Sequence, residues 1–336
     1  MMREKNKRFF KIMIIMIALL LSLFFISMKI GYTELEVSDV IRILFGGGSE
    51  EEKLILYNFR LVRIILAMLV GAGLSVSGTI FQTISKNALA SPDLLGVSAG
   101  AGIAVLILTF YESSNKALGI FVLPFVALIG ALVTALLIYF LAHQKDRAIS
   151  PVRLILIGIS ITAGINALDL ILTVKLSPEK YNTVNTWMIG SLYGNSWKHV
   201  LVLLPWIAII IPIFIYNSKN LNLLRLSEGV AIGLGSQLKR SRFIYLMLAV
   251  ALAAACVSVG GAIGFVGLIC PHLARKLVGA NHQYSIPVSA FTGAILLLGA
   301  DLVSRTIIAP NEMLLGIVVA LIGAPYFLYI LMTSKL

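Results

Sequence analysis

Ten long apolar runs, separated by short polar breaks, set the pattern of this chain. They fall at about 10–30, 60–82, 93–111, 117–141, 152–174, 199–217, 240–260, 263–280, 285–305 and 313–332. Within each run the apolar positions are nearly continuous and lack the alternation of a half-buried strand, and most runs reach the roughly 20 residues a helix needs to cross a bilayer. The pattern predicts an all-α fold, a polytopic membrane bundle of about ten transmembrane helices in one domain spanning 1–336. Only three polar stretches are long. Residues 31–59 carry the acidic, Gly-rich tract GGGSEEE, and 175–198 hold Tyr181, Trp187, Tyr193 and Trp197. Those aromatics suit the headgroup zone and a short interfacial helix. The third stretch, 217–242, reads NSKNLNLLRLSEGVAIGLGSQLKRSR. None of the three is long enough to fold around its own core, which excludes catalysis in an extramembrane domain.

Composition agrees: 59% of the 336 residues are hydrophobic and 12% charged, against about half and a quarter in soluble domains. The net charge of +12 invites a nucleic-acid reading, but its distribution points elsewhere. With both termini inside, the inner segments hold 17 of the 27 Lys/Arg and 4 of the 15 Asp/Glu. That is the positive-inside bias, and it predicts cytoplasmic termini and contact with anionic lipid, with no nucleic-acid partner. The N-terminal Arg3, Lys5, Lys7, Arg8 and Lys11 precede an unbroken apolar run with no small-x-small cleavage site, so an uncleaved first span is expected.

Small residues recur four apart, at Gly96/Gly100, Gly260/Gly264 and Gly316/Ala320/Ala324. This spacing predicts close helix crossings in lipid. Cys256 and Cys270 read as packing residues, and His143, His199, His272 and His282 lie in separate segments without the carboxylates an iron site needs, so no metal site is expected. No GxxxxGK[ST] cradle for nucleotide phosphates occurs. An ion-coupled carrier would bury an acid near mid-membrane, and Asp169 is the one candidate.

The stretch GFVGLICPHLAR at 264–275 resembles the GFVGLxxPHxxR signature of the iron–siderophore and vitamin B12 permeases, the membrane subunits of type II ABC importers. Arg60-Leu61-Val62-Arg63, GAGLSVSGTIFQ at 71–82, NALASPDLLGVSAGAG at 87–102, LGADLVSR at 298–305 and MLLGIVVALIGAPYFLYIL at 313–331 follow the same family's patterns in order and spacing. One departure is Ala88, where the family usually has proline, which suggests a looser turn before the third span.

The resemblance implies a bacterial cell-membrane permease subunit importing an iron(III)–siderophore, with a slight preference for hydroxamates; haem or cobalamin import on the same scaffold is the alternative. It implies a second permease subunit, identical or paralogous, two cytoplasmic ATPase subunits that hold the ATP and Mg, and an extracellular substrate-binding protein. The Lys- and Ile-rich composition hints that this last partner is lipid-anchored. No cofactor is expected in this chain. By family position, Arg60, Arg63 and Arg305 would meet glutamates of the binding protein; headgroup contact or an internal pair of Arg305 with Asp301 is the alternative. The 217–242 loop would couple to the ATPase through two short helices, with Ser227, Glu228, Gly229, Ala231, Leu234 and Gly235 in its Gly-containing stretch. Asn166 and Asp169, three apart in the fifth span, are candidates to line the pathway, and Met68 could offer a soft contact to a bulky ligand, although core filling explains it as well. His272 is expected at a structural turn.

Overall fold

The structure, a computed structural model, describes residues 2–31, 37–111, 122–143, 150–226, 228–233, 238–309 and 311–333. Among these residues the chain is predominantly helical, with no strand. Eight helices are long and apolar enough to span a membrane. They lie within α1 (Met2–Lys29), the continuous helical stretch 50–85 that ends in α4 (Val62–Ser85), α6 (Val122–Ala142), α7 (Pro151–Thr173), α9 (Trp197–Tyr216), α12 (Leu238–Gly260), α14 (His282–Thr306) and α15 (Leu315–Thr333). Two further apolar helices, α5 (Val97–Tyr111) and α13 (Val266–Val278), are shorter. Each of the ten predicted runs thus carries a helix, but not each is a full crossing.

Helix α4 is the hub, because its sequence places Gly or a hydroxyl wherever a neighbour crosses. A Cβ at Gly71 would lie 2.2 Å from the Gly293 carbonyl of α14, and one at Gly78 would lie 1.8 Å from the Gly267 carbonyl of α13. Ser75 Oγ donates to the Ser289 carbonyl at 2.7 Å, and Ser77 Oγ to the Ala249 carbonyl of α12 at 2.7 Å. With no hydrophobic drive between helices in lipid, such approach and interhelical hydrogen bonding hold the bundle. By contrast α1 and α7 lie at the periphery, with few of their spanning residues buried. The Gly96/Gly100 pair behaves as expected: a Cβ at Gly100 would lie 2.6 Å from the Gly130 carbonyl of α6.

The Gly260/Gly264 pair does not. The predicted helix over 263–280 begins only at Val266, because the backbone leaves α12 at Gly261 (φ +74°) and is irregular to Gly264, where the Ile263 N–H turns back on the Gly261 carbonyl at 2.9 Å. Thirteen residues of α13 span about 20 Å, short of the roughly 30 Å hydrocarbon core. Irregular backbone at that depth needs partners from protein, and the loop after α8 (Pro178–Ile189) supplies them. Ser191 N–H donates to the Gly260 carbonyl at 3.1 Å, and the Asn195 amide donates to the Val259 carbonyl at 3.3 Å. Gly316 N–H of α15 closes on the Gly190 carbonyl at 3.2 Å. Farther along, Pro271 removes the N–H that would reach the Gly267 carbonyl, and Gly78 is the residue that lets α4 pass against that oxygen. His272 accordingly sits inside α13, with its ring centroid 6.2 Å from that of Tyr326, and not at a turn.

The polar stretches are ordered where described. Within 31–59 lie α2 (Val37–Leu44) and α3 (Glu50–Lys53), the latter opened by a Ser49–Glu52 capping box and clamped by Arg42 to Glu52 at 2.9 Å. A single π-type segment, 54–61, then leads into α4. The turn around Ala88 is held by the Asn87 side chain, whose Oδ1 accepts the Leu89 N–H at 2.9 Å, so proline is not required to form it. That turn leads through a 3₁₀ segment at 92–95 to the left-handed Gly96 (φ +62°) and α5.

Candidate functional site

Two polar clusters lie at opposite ends of the bundle. At the end where 54–61 enters α4, Arg60, Arg63 and Arg305 line one cavity with Glu312. The sequence sets these arginines to meet a binding protein, with an internal Arg305–Asp301 pair as the alternative; the structure contains that internal pair and extends it to Arg63. Arg63 Nε lies 2.6 Å from Asp301 Oδ1 and its Nη1 2.7 Å from Glu312 Oε2. Arg305 Nη2 lies 3.0 Å from Asp301 Oδ2 and also donates to Ser27 Oγ. Arg60 Nη1 donates to the Met28 carbonyl at 2.7 Å and the Lys29 carbonyl at 3.0 Å, closing the end of α1 against α4. Asp301 is fully buried and the Arg63 and Arg305 side chains are only 11% and 6% exposed. Arg63 and Arg305 thus share Asp301, and Arg63 also holds Glu312. The Asp301–Arg305 pair is visible from the i,i+4 spacing; Glu312 and Ser27 are not, since nothing local links them to Arg63 or Arg305.

At the other end, which carries Lys5, Lys86 and Lys239, the stretch after α9 forms two short helices, α10 (Ser218–Leu224) and α11 (Glu228–Gly233). Asn222 of α10 is the joint. Its Oδ1 accepts the His282 N–H at 3.0 Å and the His282 Nδ1–H at 2.6 Å, and its amide donates to Asn281 Oδ1 at 2.9 Å. His282 Nε2 lies 2.7 Å from Thr83 Oγ1 of α4. Two bundle helices, α14 and α4, are therefore tied to α10 through one buried imidazole. Of the expected coupling residues, Gly229 is exposed and Ala231 fully buried. Ser227, Leu234 and Gly235 lie outside the described residues, and Glu228 is described only in its backbone.

The pathway candidates separate. Asn166 is exposed on the lightly covered α7, and Asp169 is 7% exposed with both carboxylate oxygens lacking a hydrogen-bond partner among the described residues. Met68 packs against the main core from α4, so it acts as filling and does not join them. Among the described residues no group of three or more His, Cys, Asp or Glu is placed to hold a metal ion.

Comparison with known proteins gives concordant results. The profile of the FecCD transport family matches residues 19–333. The chain is 43% identical, over 99% of its length and 100% of the relative's, to the iron(3+)-hydroxamate import system permease protein FhuG of Bacillus subtilis. It is also 43% identical to the Fe(3+)-citrate import system permease protein YfmE of the same organism, over 98% of this chain and 96% of that one. Among solved structures, an inward-facing ABC transporter described as metal-chelate type superposes with a TM-score of 0.85 at 31% identity, covering 96% of this chain and 99% of that one.

Proposed function

The chain belongs to the FecCD transport family, and from that premise we propose that it forms half of the translocation pathway of an ATP-driven importer of ferric siderophores in the bacterial cell membrane. It is a permease subunit and not an enzyme; ATP hydrolysis resides in separate subunits. The observation that carries the reading is the α10–α11 pair, bonded through Asn222 and His282 into the helices that build the bundle core. A push on α10 at the nucleotide-hydrolysing partner is delivered to α14 and α4 without passing through flexible loop. The Lys-rich end then faces the cytoplasm, as the positive-inside bias requires. The relatives carrying hydroxamate and citrate in their names favour a ferric chelate with a hard-oxygen shell, hydroxamate first. Growth of a deletion strain under iron starvation tests this: ferric hydroxamates should fail to rescue it until the gene is restored, while rescue only by haem or cobalamin would reassign the cargo.

The second permease copy or paralogue would seat along α7, whose exposed Ser160, Gly164 and Asn166 are poor lipid-facing residues; the pathway would then run past Asn166 and Asp169. In an ATP-driven importer Asp169 has no obligatory proton to carry. Asp169→Asn should therefore retain ATP-driven uptake within about twofold, the scale of a neutral substitution, whereas a proton-coupled carrier would lose transport.

Two further roles rest on the same premise. The cavity lined by Arg60, Arg63 and Arg305 gathers three guanidiniums at one mouth, so an acidic side chain of a substrate-binding protein would complement it. Substitution of Asn222 by Ala removes two acceptor contacts to His282 and one donor contact to Asn281. At about 0.5–1 kcal/mol each, the expected loss of transport is roughly ten- to hundredfold, with ATPase activity of the assembled complex much less affected. Equal losses in both activities would show a folding defect instead.

A further inference from the structure

Four separate segments meet around a cavity of about 280 Å³ at the basic end: the last turns of α4, the turn after α10, α13 and the start of α14. Lys86, Arg225 and Arg275 reach its wall, and no Asp or Glu among the described residues lines it. No described side chain there neutralises them. Arg225 Nη1 donates to the Ala280 carbonyl and Lys86 Nζ to the Leu226 carbonyl at 2.7 Å, so two of the cations are held in place by neutral acceptors. Arg275 Nη2 is buried with no hydrogen-bond partner among the described residues, and neither is one present for Gln82 Oε1, on a side chain only 5% exposed. Lys86 itself sits in the left-handed region (φ +50°), a conformation uncommon for a residue with a Cβ and one that sites with a function often retain.

An unpaired buried guanidinium is costly, and three cations converging without a carboxylate repel one another. The missing partner is an anion. Gln82 Oε1, whose amide nitrogen is already committed to the Leu268 carbonyl at 3.1 Å, can only accept, so a ligand that also brings a donor, such as the O–H of a protonated phosphate or a headgroup hydroxyl, satisfies it. The volume falls just below the range of about 300–1,000 Å³ that holds drug-sized molecules, which fits a small anion or a headgroup and not a ferric chelate.

We propose that this cavity binds a phosphate group bearing or adjoining a hydroxyl, from free phosphate or from an anionic lipid headgroup, with Arg275 and Arg225 as its charge partners and Gln82 accepting from the hydroxyl. Bound there, the anion ties the end of α10 to α13 and α14, the same corner that Asn222 and His282 join. The site is independent of the cargo and of the transport direction.

Thermal unfolding of the purified full-length chain in phosphatidylcholine nanodiscs tests it, with inorganic phosphate against chloride at fixed ionic strength, and separately with phosphatidylglycerol added to the disc. The expected result is a rise in Tm of about 3 °C or more with at least one probe, lost in Arg275→Gln and in Arg225→Gln. A response to phosphate identifies a free-anion site; a response to phosphatidylglycerol alone identifies the headgroup as its source. Arg225 is exposed, so Arg225→Gln carries the comparison if Arg275→Gln does not fold. No shift with either probe, or a shift undiminished in whichever variants fold, overturns the proposal.

Discussion

Replacing Gly78 by alanine is expected to remove most of the folded permease from the membrane. A Cβ at that position would lie 1.8 Å from the Gly267 oxygen and 2.6 Å from its Cα. Both are backbone atoms, so no rotamer change relieves the overlap and α4 must move away from α13. That displacement would open the crossing at which Pro271 has already removed one helical hydrogen bond, and would strain the neighbouring Gly71–Gly293 contact as well. The cost lies at or above the roughly 3 kcal/mol upper end of ordinary overpacking. Gly299→Ala is the matched control, since no described atom beyond its own helix turns lies within 4 Å of a Cβ there; it should be neutral or stabilise the helix by up to about 1 kcal/mol. Fluorescence-detected size-exclusion of the two variants in mild detergent measures the difference, and a monodisperse, wild-type-like peak for Gly78→Ala would refute the close crossing.

The second large effect concerns Asp301. Its removal leaves Arg63 and Arg305 buried with one partner fewer, a defect worth about 3–5 kcal/mol. Asp301→Ala should accordingly yield little folded protein. Arg63→Glu should behave as badly, because it sets a third carboxylate beside Asp301 and Glu312; it is thus unsuited to probing partner docking. The informative variant is the apolar triple replacement Asp301→Leu, Arg63→Met, Arg305→Met. Replacement of a whole buried ion cluster by packed apolar groups is often neutral or stabilising, so folding should return. If the arginine-lined cavity receives an acidic side chain of the binding protein, stimulation of ATP hydrolysis by that protein should then be lost in a well-folded transporter. Full stimulation by the binding protein in this triple variant would leave the arginines a bracing role only.

The order of helices was legible because each crossing must satisfy its backbone internally, and nearly continuous apolar runs report this directly. The break at 261–264 was not. Hydropathy treats Ala262 and Ile263 as helical as readily as their neighbours, and it is the Ser191 and Asn195 contacts, from a segment distant in sequence, that satisfy the carbonyls at the break. The arginines show the same limit. The i,i+4 relation exposes Asp301 as a partner of Arg305, yet it is tertiary packing that brings Arg63, 238 residues away, to the same carboxylate. Asn222 and His282 read as unremarkable loop and helix-end residues; their importance lies in a 2.6 Å contact across 60 positions. Conversely, the two short helices of the 217–242 stretch were foreseeable from the family resemblance, since nothing in their composition distinguishes them from a solvated basic loop.

The most direct measurement is uptake of a radiolabelled ferric hydroxamate into proteoliposomes that contain this chain with its permease partner and ATPase subunits. Uptake is expected only when the binding protein is on the side opposite the ATPase and ATP is supplied on the ATPase side, and it should persist when ion gradients are collapsed. Concentrative uptake by this chain without ATPase subunits, driven by a proton gradient, would contradict it.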